Sequence, residues 1–408
     1  MKLFKREKYL SRIRPFYEEE DLIKVITGVR RCGKSSIMKM IYDELIDKGV
    51  PEKNIIYIDL DKRGYRNIRT DAQLETLIDS QTPKKGKIYL FIDEIQNVDN
   101  FEPLINGYRN DGRYSIFITG SNSYLLSGEL VTKLTGRYIE FEVYTLTFDE
   151  YEEMKSFYHK EINPNPLMEL SNYILEGGFP RAVLFDTMQT KREYTRNVIN
   201  EIFSKDIKQR NKIRNKANFE TVRNYVINNY GASTSIKAIY EALQKNGVSI
   251  SRTTVGNYIQ ILLDAKILYE CDRFDMKSKK SLQGEKKYYL ADLSFYFAQN
   301  VDNRLNYGAS LENIMYLYCV SNSYSASVGR IGKYECDFIL RDSNINYSYV
   351  QVSYTIADPI TEEREYRPLE MIRDFYPKYI MTTDYLLQNR NGIHHLNIID
   401  FMKNHQLF

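Results

Sequence analysis

The stretch Gly28-Val29-Arg30-Arg31-Cys32-Gly33-Lys34-Ser35 constrains this chain more than any other, because it fills every fixed position of the pattern G-x-x-x-x-G-K-[ST]. A mostly apolar run, Ile23 to Ile26, precedes it, and a helix-patterned stretch, Ser36 to Asp47, follows. Strand, glycine-rich turn and helix in that order form a loop whose backbone N–H groups curl round a polyphosphate. Lys34 then places a point charge on the β and γ phosphates, and the Ser35 hydroxyl is a candidate Mg²⁺ ligand. Gly28, Arg31, Cys32, Gly33, Lys34, Ser35 and Ser36 are therefore the candidate nucleotide-binding residues, for ATP or GTP. For the side chains of Arg30 and Arg31, at variable positions, phosphate contact and simple solvation are both open.

Such a loop needs a parallel sheet to hold it. Between residues 20 and 145, short apolar runs alternate with helical patterns: Ile23 to Thr27, Ile55 to Asp59, Ile88 to Ile92, Ser115 to Thr119 and Tyr138 to Val143. That alternation predicts an α/β core with helices on both faces and the nucleotide at the carboxyl ends of the strands. The run from Lys87 ends in Asp93-Glu94. Asp93 is expected in the Mg²⁺ shell, and Glu94 is expected to orient the attacking water. The next run ends Thr119-Gly120-Ser121-Asn122. Asn122, ahead of Ser121, is the candidate for a γ-phosphate contact; an Asx turn capping the following helix is the alternative.

Composition narrows the remaining classes. With 408 residues, 43% hydrophobic and 27% charged, the chain reads as soluble globular protein of roughly two to four domains. A formal charge of +3 means that any nucleic-acid surface has to be local. The cysteines Cys32, Cys271, Cys319 and Cys336 are far apart, which argues against a zinc site or a disulfide framework and for a reducing cytoplasm. The basic N-terminus lacks a secretory apolar core, and no run approaches membrane-spanning length, so no membrane partner is expected.

Past residue 150 the pattern changes. Residues 151–215 read as a helical lid and connecting helix, punctuated by Pro164, Pro166 and Gly177-Gly178-Phe179-Pro180. Residues 216–292 give helix, turn, helix and hairpin, the order of a winged helix. Ser251 and Arg252 open the would-be recognition helix, and Lys277, Lys279, Lys280, Lys286 and Lys287 make a basic wing, the footprint of a DNA backbone contact. Tyr258, Ile261, Leu262 and Ile267 are core positions, so a purely structural role is equally open. Residues 293–408 place Glu312 on a helix, Asp337 on a strand and Gln351-Val352-Ser353 on the next, an order similar to restriction-endonuclease-like nucleases. Such enzymes need an acidic pair and a lysine. Here Ser353 stands at the lysine position and glutamine replaces an acid, with Lys333 the candidate substitute, so an inactive, binding-only domain is expected; acids merely scattered on a sheet edge are equally open.

Together these segments resemble a bacterial and archaeal AAA-type (AAA+) ATP-binding family with an N-terminal P-loop domain and a C-terminal domain of unknown function. The resemblance is carried by Arg14-Pro15-Phe16, Thr27 to Ser35, Phe91-Ile92-Asp93-Glu94-Ile95-Gln96, Thr119-Gly120-Ser121-Asn122, Leu134-Thr135-Gly136-Arg137-Tyr138 and Glu176-Gly177-Gly178-Phe179-Pro180. Asn257-Tyr258-Ile259, Lys287 to Asp292 and Gln351-Val352-Ser353-Tyr354 extend it over nearly the whole length. It implies ATP in preference to GTP. It also implies that Arg137 resembles an arginine finger, usually acting across a subunit interface, and that Arg181 resembles a lid arginine sensing the γ-phosphate. An oligomer follows if Arg137 acts in trans, whereas an arginine acting within its own chain fits a monomer and a surface arginine capping a helix end is the structural alternative. The expected function is ATP hydrolysis coupled to a DNA or protein partner. A nucleotide-gated switch with little turnover and an ATP-dependent nuclease are the alternatives.

Overall fold

The computed structural model describes residues 2–120, 136–208, 213, 215–276, 280–300 and 305–408. They form two units, Met1–Tyr144 and Thr145–Phe408.

In the first unit, α1 (Glu7–Ile13) leads into β1 (Ile23–Thr27), α2 (Lys34–Asp47), β2 (Ile55–Asp59), α3 (Asp71–Gln81), β3 (Ile88–Asp93), α4 (Phe101–Asn110), β4 (Tyr114–Thr119) and β5 (Tyr138–Glu142). The strands form one parallel sheet in the order β2-β3-β4-β1-β5. Buried on both faces, they read as near-continuous apolar runs, which is why the sequence reveals them. Tyr57, Phe91 and Phe117 stack across three neighbouring strands, with ring centroids 5.7 and 4.7 Å apart. On the helices the apolar stripe recurs at three- and four-residue spacing, as Ile37, Met38, Ile41 and Leu45 in α2, facing the sheet. α3 is started by a reciprocal cap between Thr70 and Gln73. Because all strands run the same way, β1, β3 and β4 deliver their carboxyl ends to one edge, where Gly28, Asp93 and Thr119 meet.

The second unit opens with α5 (Phe148–Phe157), α6 (Pro166–Glu176), α7 (Pro180–Val183) and α8 (Met188–Glu201). Next come α9 (Lys216–Asn228), β6 (Ser233–Thr234), α10 (Ile236–Lys245), α11 (Arg252–Asp264), β7 (Leu268–Asp275) and β8 (Lys280–Leu290). β7 and β8 form the expected hairpin, and β6 adds antiparallel to β8. Then follow α12 (Ser294–Gln299), α13 (Tyr307–Ser321), β9 (Ser325–Ile331), β10 (Tyr334–Arg341), β11 (Tyr347–Val352), α14 (Pro359–Glu370), β12 (Lys378–Thr382), β13 (Ile393–Asn397) and α15 (Ile398–Lys403).

One feature departs from the sequence reading, which treats residues 293–408 as a separate small domain. The hairpin and the C-terminal strands share a single mixed sheet, β13-β12-β11-β10-β9-β7-β8-β6. The join is a short parallel pairing of Arg273, Phe274 and Asp275 on β7 with Val328, Gly329 and Arg330 on β9. An edge strand leaves unpaired N–H and C=O groups, and β9 pairs with those at the end of β7, Arg273 to Asp275. β9 itself, Ser-Ala-Ser-Val-Gly-Arg-Ile, carries too little apolar alternation to be read as a strand.

Candidate functional site

The loop after β1 is held open by its glycines. Gly28 has φ +136°, and a Cβ there would lie 2.1 Å from the Val143 carbonyl oxygen. Gly33 caps α2 at φ 110°, so the helix begins with Lys34 and turns its free N–H groups into the loop. Lys34 is buried, and its Nζ donates to the carbonyl oxygens of Gly28 (2.9 Å) and Val29 (3.3 Å). Cys32 is fully buried, whereas Arg31 lies exposed with φ 70°. Beneath the loop a residue not singled out from the sequence does structural work: buried Arg6 donates to the carbonyl oxygens of Cys32 (3.1 Å) and Tyr144 (2.9 Å). Its position in a run of scattered lysines and arginines gives no pattern from which to find it.

Asp93 and Glu94 stand beside this loop. The Asp93 side chain is 2% exposed and accepts hydrogen bonds from the hydroxyls of Thr119 and Ser35. Burial pushes its carboxyl up to about 6; the two hydroxyls hold it down, and the charges of Glu94 and Asp59 add to the rise. A buried carboxylate whose hydrogen-bonding side chains among the described residues are neutral hydroxyls fits a cation. One carboxylate and one hydroxyl are the protein share that Mg²⁺ takes when phosphates and waters complete its octahedron. Ser35 and Asp93 are thus brought together as the sequence requires. Among the described residues no group of three or more His, Cys, Asp and Glu side chains forms an all-protein metal cage.

Glu94 ends the strand in the left-handed conformation, φ 59° and ψ 46°, a strained choice for a residue with a Cβ. Its N–H donates to Thr119 Oγ1 (3.1 Å), and its carboxylate accepts from Gln96 Nε2. Thr119 therefore ties Asp93 to the Glu94 backbone. The sequence reading gave the polar role at the end of β4 to Asn122, with Ser121 behind it; both lie outside the described residues. The pattern of a strand ending in threonine beside two acids was the available signal for Thr119.

The two arginines fall elsewhere. Arg137 precedes β5, where its carbonyl oxygen accepts from Ile23 N (2.9 Å), and so marks the amino edge of the sheet, opposite the loop. Its guanidinium reaches Asn106 Oδ1 (3.4 Å) at the surface. Arg181 belongs to the second unit, exposed on α7, 5.9 Å from the centre of the Phe185 ring.

In the second unit the basic wing is weaker than its sequence suggests. Lys286 pairs with Glu270 (2.7 Å) and Asp272 (3.3 Å). Lys287 turns inward, 4% exposed, to Glu312 (2.6 Å), Glu335 (2.8 Å) and Asp337 (3.7 Å). Lys277 and Lys279 lie outside the described residues, as does the side chain of Lys280. Ser251 caps α11 through Thr254 N (3.1 Å), with Arg252 exposed beside it. Glu312, Asp337 and Gln351 do converge as a nuclease order requires: Gln351 Oε1 accepts from Asp337 N (3.2 Å). The cation among these acids is Lys287, however, and not Lys333, whose Nζ lies 5.3 Å from the Tyr334 ring centre. Ser353 donates to the Thr355 carbonyl oxygen (3.2 Å). Desolvation raises Glu312 and Asp337, and the Lys287 ammonium, favoured by Glu312 first, is held above the ordinary lysine range.

Comparison with known proteins agrees with this geometry. A family model described as AAA domain matches residues 20–152, and a domain of unknown function, DUF8612, matches residues 167–304. An uncharacterized protein of Haemophilus influenzae is 31% identical over 402 residues, 98% of each chain. The uncharacterized protein MJ1544 of Methanocaldococcus jannaschii is 33% identical over 358 residues, 85% of this chain and 78% of that one. Among solved structures, the Walker-type ATPase PABY2304 of Pyrococcus abyssi superposes with a TM-score of 0.52 at 15% identity, over 72% of this chain and 95% of its own. That likeness is one of fold. No helix among the described residues is long and apolar enough to cross a membrane.

Proposed function

Because the chain belongs to the bacterial and archaeal family of AAA-type ATP-binding proteins with an N-terminal P-loop domain and a C-terminal domain of unknown function, we propose that it hydrolyses ATP to ADP and phosphate. The nucleotide state is then relayed to a DNA or protein partner through the residues after Tyr144. The observation that carries this reading is the meeting of Ser35, Asp93 and Glu94 at the carboxyl edge of one parallel sheet.

In the reaction, the loop N–H groups and Lys34, released from the Gly28 and Val29 carbonyls, hold the β and γ phosphates. Ser35 and Asp93 would hold Mg²⁺, which when bound would supply screening of the charge that develops on the phosphoryl oxygens. Glu94 orients water for in-line attack on the γ-phosphate. Asn122 is the proposed γ-phosphate contact. Arg181 is proposed to report the γ-phosphate to the second unit, and Arg137 to complete the site of a second copy.

Among partners, the placed wing lysines favour neither: Lys286 and Lys287 are both engaged by acids, which leaves Arg252 and the polar face of α11 as the DNA-facing candidates. Nothing favours the nuclease reading while Lys287 fills the space between Glu312, Glu335 and Asp337. Two variants test the proposal. Lys34→Ala should abolish tight ATP binding, and Glu94→Gln should keep binding while turnover stops. Hydrolysis retained in both would overturn it. Measuring turnover with and without DNA separates a DNA-coupled ATPase from a protein-directed one.

A further inference from the structure

We infer that Gln96 positions the water that attacks the γ-phosphate. The inference rests on the ATPase reading above and adds to it a residue whose role the motif does not assign. Gln96 sits in the single 3₁₀ turn Ile95–Asn97 that follows Glu94. Asn97 N donates to the Glu94 carbonyl (3.0 Å), Val98 N donates to the Ile95 carbonyl (3.0 Å), and Ile95 is fully buried, so the turn is fixed from both sides.

The two ends of the Gln96 amide behave differently. Nε2 donates to Glu94 Oε2. Oε1 is buried and has no hydrogen-bond partner among the described residues. Flipping the amide does not help, because it would set Oε1 against a carboxylate oxygen, two acceptors with no proton between them. A buried acceptor left without a donor is rare enough in native proteins to call for an explanation, and a catalytic role is one of the few. Here the acceptor lies next to the carboxylate proposed to activate water.

A water molecule has two protons, and the geometry offers one acceptor for each: Gln96 Oε1 and the Glu94 carboxylate. With both protons directed, an oxygen lone pair is presented to the γ-phosphorus. The water oxygen then bonds to Pγ, and the bond from Pγ to the bridging oxygen breaks, leaving its electron pair on the β-phosphate of ADP. The water proton passes to Glu94 and from there to solvent. Gln96 neither gains nor loses a proton. It fixes direction, and by holding Glu94 Oε2 it leaves the other carboxylate oxygen for the water.

The test uses the full chain. Gln96→Met keeps the length of the side chain and removes both amide functions; Gln96→Ala removes the side chain. We expect kcat to fall roughly 100-fold in both, the scale of losing one preorganised polar group, with KM and ADP affinity within about twofold of wild type. Binding of ADP with aluminium fluoride, which mimics the transition state, should weaken, whereas binding of ADP with beryllium fluoride should not. A kcat that is unchanged or raised in Gln96→Met overturns the assignment, since the amide would then only restrain Glu94. Equal loss of kcat and nucleotide affinity in both variants also overturns it, because that marks a structural role. A wild-type chain that does not hydrolyse ATP sinks the ATPase reading and this assignment together; a hydrolysing wild type with an unaffected Gln96→Met sinks this assignment alone.

Discussion

Replacing Lys24 with methionine should change how stability depends on pH, and the structure sets the size of the change. Lys24 lies in β1 with no exposed surface. Its Nζ donates to Ser115 Oγ (2.9 Å) and to the Glu19 carbonyl (2.5 Å), and stands 4.7 Å from the centre of the Phe117 ring. Burial, reinforced by the charge of Lys87, pulls this ammonium from 10.5 down to about 7. A depressed folded-state value means that the unfolded chain binds the proton more tightly between those limits. Stability from this group is therefore fully present above about pH 10.5, falls as the pH drops, and falls no further once below about 7. At about 1.4 kcal/mol per unit, the deficit is about 4 kcal/mol at pH 7 and about 2 kcal/mol at pH 9. Methionine has no such deficit. It leaves the Glu19 carbonyl without its donor, a pH-independent loss of about 1 kcal/mol, while Ser115 Oγ still donates to Tyr17 O (2.7 Å). Calorimetric melting of both proteins from pH 7 to 9 should thus show the wild type gaining roughly 2 kcal/mol on the variant, a closing of about 6 °C in a domain of this size. Parallel curves for the two proteins would refute the buried-ammonium argument.

Two further substitutions probe the loop and the acidic cluster. Gly28→Ala should weaken ATP binding at least roughly tenfold, because its Cβ meets the Val143 carbonyl and φ +136° is strained for alanine; equilibrium titration checks this, and wild-type affinity would contradict it. Lys287→Ala should cost about 3–5 kcal/mol by removing the cation that the buried Glu312 and Asp337 share, while Glu335 keeps its pair with Arg273 (2.8 Å). Without the ammonium the carboxyls of Glu312 and Asp337, already raised by burial, rise further, so the folded state holds protons that the unfolded state releases, and the variant loses stability as pH climbs from 5 to 8. A melting deficit no larger at pH 8 than at pH 5 would count against the ion cluster.

The first unit was largely legible because a doubly covered parallel sheet writes its strands as uninterrupted apolar runs; β1 and β2 match their sequence ranges residue for residue. Polar residues inside such runs are where legibility fails. Lys24 looks like an ordinary surface lysine, and only its contacts with Ser115 and Glu19 reveal it as core. The second unit was readable in its helices, whose caps Ser235, Ser251 and Asp358 all accept from backbone N–H groups three residues on. Its sheet was readable in the β7–β8 hairpin and in the strands that carry Asp337 and Gln351, but not in β9, which is rich in small residues, or in β13, which sets two histidines between Ile393 and Leu396. The lysine wing misled for a related reason. Composition counts Lys286 and Lys287 as cations available to phosphate, while strand alternation sends one of them inward to three carboxylates.

Arg137 shows how topology limits a role assigned by resemblance. Parallel pairing sets Ile23 opposite Tyr138 and Thr27 opposite Glu142, so Arg137 stands at the strand-start level of β1 while the loop begins beyond its last residue. Those five residues span roughly 16 Å at 3.3 Å each, farther than an arginine side chain extends. To touch its own nucleotide, Arg137 would have to unpair β5 from β1, giving up Ile23 N to Arg137 O and the register that follows. A finger role for Arg137 is thus consistent only with a second copy docked by its amino-edge face against the carboxyl edge of the first. The proposal carries its own stoichiometry: with the finger in trans, Arg137→Ala mixed with Lys34→Ala restores turnover at the one interface that pairs an intact loop with an intact arginine, whereas either variant alone is inactive.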